Sequence, residues 1–217
     1  MSNFKLNKVF LNYQKDENSA ILKNITIDFP EKGIIGITGA SGSGKSSLLH
    51  VMAGLKNNLV KGEIMYGKKN ILTCTQIESA HLRRNEFGLV FQKHYLIPYL
   101  TVYENVIVSS GAKCKKEAVE LLKQLGVDKY RNKRITELSG GECQRVAIAR
   151  ALSHSPKVVF ADEPTAALDR NNADNVMKIF KEHSKERLFF VVTHDTNLFL
   201  YFDITVALVD GVIKEIN

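Results

Sequence analysis

Apolar residues occur along the chain in two alternating kinds of run. Ile34–Thr38, Val158–Ala161 and Phe189–Thr193 are apolar at almost every position. A strand reads this way when helices cover both of its faces, as in a parallel sheet. Further strand-like runs are Phe4–Leu11, Ile25–Phe29, Glu63–Tyr66, Leu89–Phe91, Ile204–Val209 and Val212–Glu215. Between the runs the spacing becomes helical, in Gly141–Ser153, in Asn172–Ser184 and in a segment carrying Leu48, Leu49, Val51 and Met52. Strand–helix alternation predicts an α/β fold. The middle differs. From about Lys93 to Ser153 helix follows helix with no convincing strand, and Ala118, Leu121, Leu122 and Leu125 form one helical stripe. This predicts a helical lobe, residues 93–153, inserted into a core of residues 1–92 and 154–217, all within one domain.

Composition narrows the class. The chain has 217 residues, of which 44% are hydrophobic and 24% charged, the mixture of a globular domain and neither a disordered nor a collagen-like chain. The longest apolar run is far shorter than the ~20 residues a spanning helix needs. The start, Met1-Ser2-Asn3-Phe4-Lys5, has no apolar segment of signal-peptide length, which predicts a cytoplasmic location. The net charge of +7 suits nucleic acid, an anionic surface or a phosphorylated ligand alike. Cys74, Cys114 and Cys143 lie far apart, so free thiols are expected rather than a zinc or disulfide framework.

The strongest local signal is Gly39-Ala40-Ser41-Gly42-Ser43-Gly44-Lys45-Ser46, followed by Ser47. It fits G-x-x-x-x-G-K-[ST] between a predicted strand and a predicted helix, where the mechanism needs it. Glycines let backbone N–H groups close around phosphate oxygens, and the helix N-terminus adds partial positive charge. Lys45 reaches the outer phosphates, and the Ser46 hydroxyl suits Mg²⁺. A second element is Val158-Val159-Phe160-Ala161-Asp162-Glu163, a buried strand with two carboxylates at its C-terminal end. Ligands of open α/β sheets bind at that edge. Asp162 is placed to hold Mg²⁺ through its water shell, and Glu163 to polarise an attacking water. A third is Leu138-Ser139-Gly140-Gly141-Glu142, which opens a helix and offers a second set of N–H groups to phosphate. One domain has little use for two cradles on one triphosphate. Two copies packed head to tail would let each share its nucleotide with the other.

With these three runs the chain resembles the nucleotide-binding subunit of ABC transporters, over essentially its whole length. The resemblance implies a P-loop NTPase core with a mainly parallel sheet, an antiparallel β subdomain near the N-terminus and an inserted helical lobe. It implies ATP and Mg²⁺ as ligands, hydrolysis, a homodimer formed on ATP binding and a membrane permease as partner, with no role for nucleic acid. Gln92 resembles the Q-loop glutamine that contacts Mg²⁺ and senses the permease. Asp169, in Ala167-Leu168-Asp169, resembles the D-loop residue at the dimer interface. His194 resembles the switch histidine on the γ-phosphate, and Tyr13 the aromatic that stacks on adenine. Catalytic roles then fall to Glu163, His194, Lys45 and Gln92. Nucleotide contacts fall to Tyr13, to residues 39–47, to Ser139, Gly140, Gly141 and Glu142, and to Asp169. Metal ligation falls to Ser46, Gln92 and Asp162.

Phe91–Val106 and Ala161-Asp162-Glu163-Pro164-Thr165 are similar to the MacB/LolD group, and Thr165–Asp169 with Thr193–Phe199 to its haem- and glycolipid-exporter members. That similarity implies an exporter or mechanotransmission machine. The apolar cluster Tyr95, Leu96, Ile97, Tyr99 and Leu100 is expected to receive the permease, near residues 92–101. Lys113, Lys115, Lys116, Lys129, Arg131, Lys133 and Arg134 make the lobe basic, as a solvated face or one near anionic lipid. Cys143 stands where relatives carry glutamine. Its place in a first helical turn predicts either a reactive interface thiol of lowered pKa or a small buried hydrophobe. A phosphotransferase or GTPase without transport is the competing class, but Asn132-Lys133-Arg134-Ile135 lacks the aspartate that reads guanine.

Overall fold

The computed structural model describes residues 3–12, 20–56, 59–110 and 115–217. Tyr13, Lys113 and Cys114 lie outside the described residues. The strands β1 (Phe4–Leu11), β2 (Leu22–Asp28), β4 (Val60–Tyr66) and β5 (Lys69–Asn70) form an antiparallel sheet in the order β2-β1-β4-β5. A six-stranded sheet runs β10-β9-β3-β8-β7-β6, with β3 (Gly33–Thr38), β6 (Phe87–Val90), β7 (Val158–Asp162), β8 (Leu188–Val192), β9 (Ile204–Val209) and β10 (Val212–Ile216). Its pairings are parallel except that of β9 with β10. All residues of β3, β7 and β8 are buried, as their unbroken apolar pattern requires.

The helices are α1 (Lys45–Met52), α2 (Gln76–Asn85), α3 (Val102–Ser110), α4 (Lys115–Gln124), α5 (Gly140–Leu152) and α6 (Arg170–His183). None among the described residues is long and apolar enough to cross a membrane. One core lies between the two sheets and α1, centred on Phe4, Phe29, Phe87, Phe160 and Phe190. Phe190 is fully buried and lies 4.7 Å from Phe29, edge-on, and 5.4 Å from Phe160, stacked. The other core joins Val102, Val106, Leu121, Leu122 and Val146 of the lobe to Ile34, Val159, Phe189 and Val191 of the sheet. The lobe helices thus share their core with one face of the sheet, while α1 and the antiparallel sheet cover the other.

Strand boundaries differ by more than one residue from the sequence pattern at three places. β2 begins at Leu22 and β4 at Val60, both earlier than expected, because cross-strand pairing with β1 extends them through polar residues such as Lys23 and Lys61. β6 lies at Phe87–Val90 rather than Leu89–Phe91, in register with β7. In the lobe the described backbone forms one isolated bridge, Thr101 with Arg134. Helix α2 had no apolar stripe to betray it, since only Ser79 and Leu82 are buried. A capping box at Thr75 and Glu78 starts it.

Phe190 ties the two sheets together, so Phe190→Ala should cost about 3–5 kcal/mol. Urea unfolding should show this as a lower midpoint.

Candidate functional site

Every element of the site hangs on the C-terminal edge of the parallel sheet. β3 ends at Thr38, and the loop to α1 turns through Gly39, Gly42 and Gly44 at φ of 143°, 80° and 101°. At Gly39 a Cβ would stand 2.1 Å from the Leu208 carbonyl oxygen of β9, so only glycine lets the loop pack there. The Gly211 N–H donates to the Ser43 carbonyl, 3.2 Å, and the Gly211 carbonyl accepts from Lys23 N–H, 2.8 Å. The turn between β9 and β10 thereby fastens the loop to β2. Lys45 Nζ donates to the carbonyls of Gly39, 2.9 Å, and Ala40, 2.8 Å, which curls the loop around its own lysine. Gly44 caps α1 without a side-chain hydrogen bond, and no acidic residue sits in the first turn. The N–H groups at this helix start are therefore left for an anion.

The loop opens on a cleft of about 740 Å³ lined by Ile21, Ser41, Gly42, Gly44, Lys45, Ser46, Ser47, Gln92, Glu163, Val192 and His194. The Ser46 hydroxyl donates to Asp162 Oδ1 at 2.9 Å. Asp162 is buried, which raises its pKa, while the Ser46 hydrogen bond and His50 act to lower it. Glu163, next along, has φ +49°, a conformation that is strained for a non-glycine residue. Its N–H donates to the Val192 carbonyl at 2.9 Å, which holds the turn, and its Oε1 lies 2.8 Å from His194 Nδ1. The hydrogen bond and charge of Glu163 raise the His194 pKa.

The cleft thus gathers Lys45, Ser46, Gln92, Glu163 and His194, with Asp162 directly beneath. Gly39, Ala40 and Ser43 shape the loop rather than line the cleft; Ser43 is buried. The remaining candidates lie elsewhere. Ser139 caps α5, where its Oγ accepts from Glu142 N–H, 3.4 Å, and Glu142 Oε2 accepts from Ser139 N–H, 2.8 Å. Asp169 caps α6 and accepts from Asn172 N–H at 2.9 Å. The two segments meet, because a Cβ on Gly141 would stand 2.8 Å from the Ala167 carbonyl oxygen. Gly141 therefore adjoins the segment that leads to Asp169, and none of Gly140, Gly141 and Asp169 lines the chain's own cleft.

Cys143 is buried, 9% exposed, with Sγ 3.8 Å from the Ile135 carbonyl. Burial raises its pKa, and the Glu142 charge raises it further. This corrects the reactive-thiol expectation: the thiol packs into the lobe core, and its burial there disfavours the thiolate.

Arg150 and Asn105 are among the residues that escaped the sequence analysis. Arg150 of α5, the helix opened by the Leu138–Glu142 signature run, donates to the carbonyls of His94, 2.8 Å, and Tyr95, 2.7 Å, and so binds the segment after Gln92 to this signature helix. Asn105 of α3, fully buried, grips the same segment through Ile97 N–H, 2.7 Å, and the Ile97 carbonyl, 3.0 Å. Neither belongs to a motif, and an arginine or asparagine in a helix carries no signal of a distant carbonyl. Within the segment Tyr95 and Tyr99 are exposed, whereas Leu96 packs on the lobe core.

Residues 22–166 match the family model described as ABC transporter, and the chain belongs to that family. It is 38% identical to the hemin import ATP-binding protein HrtA of Staphylococcus haemolyticus, across 92% of this chain and 93% of that protein. The HrtA of Staphylococcus epidermidis is 37% identical over 93% of this chain and 94% of its own length. Among solved structures, the dimeric ATP-binding cassette MJ0796 in a post-hydrolysis state with ADP and Pi aligns with TM-score 0.91 and 33% identity, covering 99% of this chain and 97% of its own. A further dimeric structure of that cassette gives 0.92. The chain is an ATP-binding cassette that hydrolyses ATP to drive transport.

His194 and Glu163 make a titratable pair. A raised His194 pKa means that the ion pair contributes fully below the ordinary histidine value and is lost as pH rises through the raised one. An NMR titration of the imidazole should place His194 above 6.5. In Glu163→Gln it should return toward that ordinary value.

Proposed function

We propose that the chain works as a head-to-tail dimer in which MgATP lies between the cleft of one copy and the Ser139–Glu142 surface of the other. The observation that carries this reading is the division of the motifs: Ser139–Glu142 opens a helix of its own and is not among the residues lining the cleft. The dimeric cassettes it resembles support the same arrangement. Asp169, beside the signature glycines through Ala167, stands on the same contact surface.

The residues beneath the cleft fit Mg²⁺. Ser46 and Asp162 offer hard oxygen atoms, and Gln92 a further carbonyl. No group of three or more His, Cys, Asp or Glu able to hold a metal occurs among the described residues. Mg²⁺ takes few protein ligands and keeps water and phosphate oxygens for the rest, which this sparse set allows. When bound, the ion would offset charge developing on the phosphate oxygens. The chain's residues supply the other parts. The loop N–H groups and Lys45 bind and orient the phosphates. Glu163 is placed to accept a proton from the attacking water. His194 is free to leave Glu163 for the γ-phosphate, which would release the carboxylate to act as base.

The strip around Tyr95 and Tyr99 is the proposed permease contact, on the cytoplasmic side of the membrane. Arg150 and Asn105 connect it to α5 and α3, so a push on the strip reaches the signature helix. The named relatives support haem as the transported class. Their names say import, whereas residues 165–169 and 193–199 resemble those of exporters. Deleting the gene and following intracellular haem after a haemin pulse distinguishes the directions: slower clearance marks export and slower uptake marks import.

Glu163→Gln should bind ATP with turnover reduced about 10²-fold or more, because an amide accepts no proton. It should elute as a dimer in ATP during size-exclusion chromatography; a monomer at saturating ATP contradicts the shared site. Tyr99→Glu should abolish permease-stimulated hydrolysis in proteoliposomes and leave basal hydrolysis of the free chain unchanged.

A further inference from the structure

Asp162 is held from one helix face. Ser46 and His50 sit four residues apart on α1, so their side chains project from the same side, one turn apart. The Ser46 hydroxyl takes Oδ1 at 2.9 Å, and His50 Nε2 lies 3.8 Å from the other oxygen, Oδ2. That Nε2 is buried and has no hydrogen-bond partner. A buried polar atom left unpaired is costly, which makes such atoms uncommon. A shift of about 1 Å brings Nε2 into direct contact with the carboxylate. The ring is also set from its far side: its centroid is 5.8 Å from that of Phe91, which precedes Gln92 and itself packs edge-on against Tyr95 at 5.3 Å. His50 therefore stands between the proposed metal carboxylate and the segment leading to the docking strip.

We infer that His50 is a positioning residue for Asp162: its Nε2–H donates to Oδ2 when the ion is held, so that Ser46 and His50 fix both oxygens of one carboxylate. This rests on the reading of Ser46 and Asp162 as metal-binding residues. Without His50 the carboxylate keeps one tether and can rotate about it. Loss of an outer partner of a metal ligand costs about 10–100-fold in metal affinity. The effect should therefore fall on the ion-dependent part of nucleotide binding and leave the phosphate cradle intact. A residue that merely fills space would lower stability and weaken ATP binding equally with and without metal.

The test uses the full chain carrying Glu163→Gln, which removes turnover, and the fluorescent nucleotide mant-ATP. Its Kd is measured in EDTA and in excess Mg²⁺ for His50, His50→Leu and His50→Gln. The expected result is an unchanged Kd in EDTA for all three, and a Mg²⁺-dependent tightening that shrinks about tenfold in His50→Leu. His50→Gln, whose amide N–H can reach the same oxygen, should recover most of it. Equal Mg²⁺ tightening in His50 and His50→Leu overturns the inference, as does a loss of binding in EDTA shared by both variants. If Mg²⁺ fails to tighten binding even with His50 present, the metal reading of Ser46 and Asp162 falls first, a result distinct from the other two.

Discussion

The structure depends on one constraint: the loop from Gly39 to Gly44 must hold its N–H groups inward around a space that no side chain fills. A free glycine-rich loop would lose that shape to its own entropy. Here it is closed from three directions. Lys45 ties back the carbonyls of Gly39 and Ala40, Gly211 takes the Ser43 carbonyl, and the backbone of β9 presses so close to Gly39 that no Cβ fits. The C-terminal hairpin and the start of β2 are thus parts of the phosphate site, although neither lines the cleft with a charged side chain. The antiparallel sheet follows from the same need, because β2 has to be held at the loop's edge and pairs with β1 to stay there.

A second consequence concerns what the single chain leaves unfinished. Its cleft is walled on one side by the loop and on another by Glu163 and His194, and the signature surface faces elsewhere. The capping box of Ser139 and Glu142 satisfies the start of α5 from within, so this helix is stable without a ligand. The Glu163–His194 hydrogen bond does the same for the chemical pair. In the free chain the reactive groups are each occupied with a neighbour. In the proposed dimer, nucleotide and a second copy would together displace those contacts, which would link closure to the chemistry.

The sequence was legible where chemistry dictates residue type. The run Gly39–Ser46 lies at the strand-to-helix turn that its motif demands, and Asp162 closes a strand whose four apolar residues announce its burial, with Glu163 next along. The parallel sheet was legible for the same reason. What escaped was of two kinds. Polar elements held by pairing or capping, such as the first residues of β4 and all of α2, carry no hydrophobic period. Contacts made at long range, such as Arg150 to the His94 and Tyr95 carbonyls or His50 near Asp162, join residue types that occur anywhere. Cys143 shows a third case: its position in the first helical turn suggested an activated thiol, but the direction in which that turn faces decides the matter, and it faces the lobe core.

The central claim is that one catalytic site needs two chains, and mixing two inactive variants tests it most directly. Lys45→Ala destroys the cradle and leaves the signature surface whole; Ser139→Phe blocks the signature surface and leaves the cradle whole. In a heterodimer of the two, one composite site is intact and the other doubly damaged. ATP hydrolysis should therefore be near zero for each variant alone and reappear in the equimolar mixture, up to about a quarter of the native rate if the chains pair at random and each intact site works independently. Full activity of Ser139→Phe alone, or a mixture as inactive as its components, would contradict the shared site.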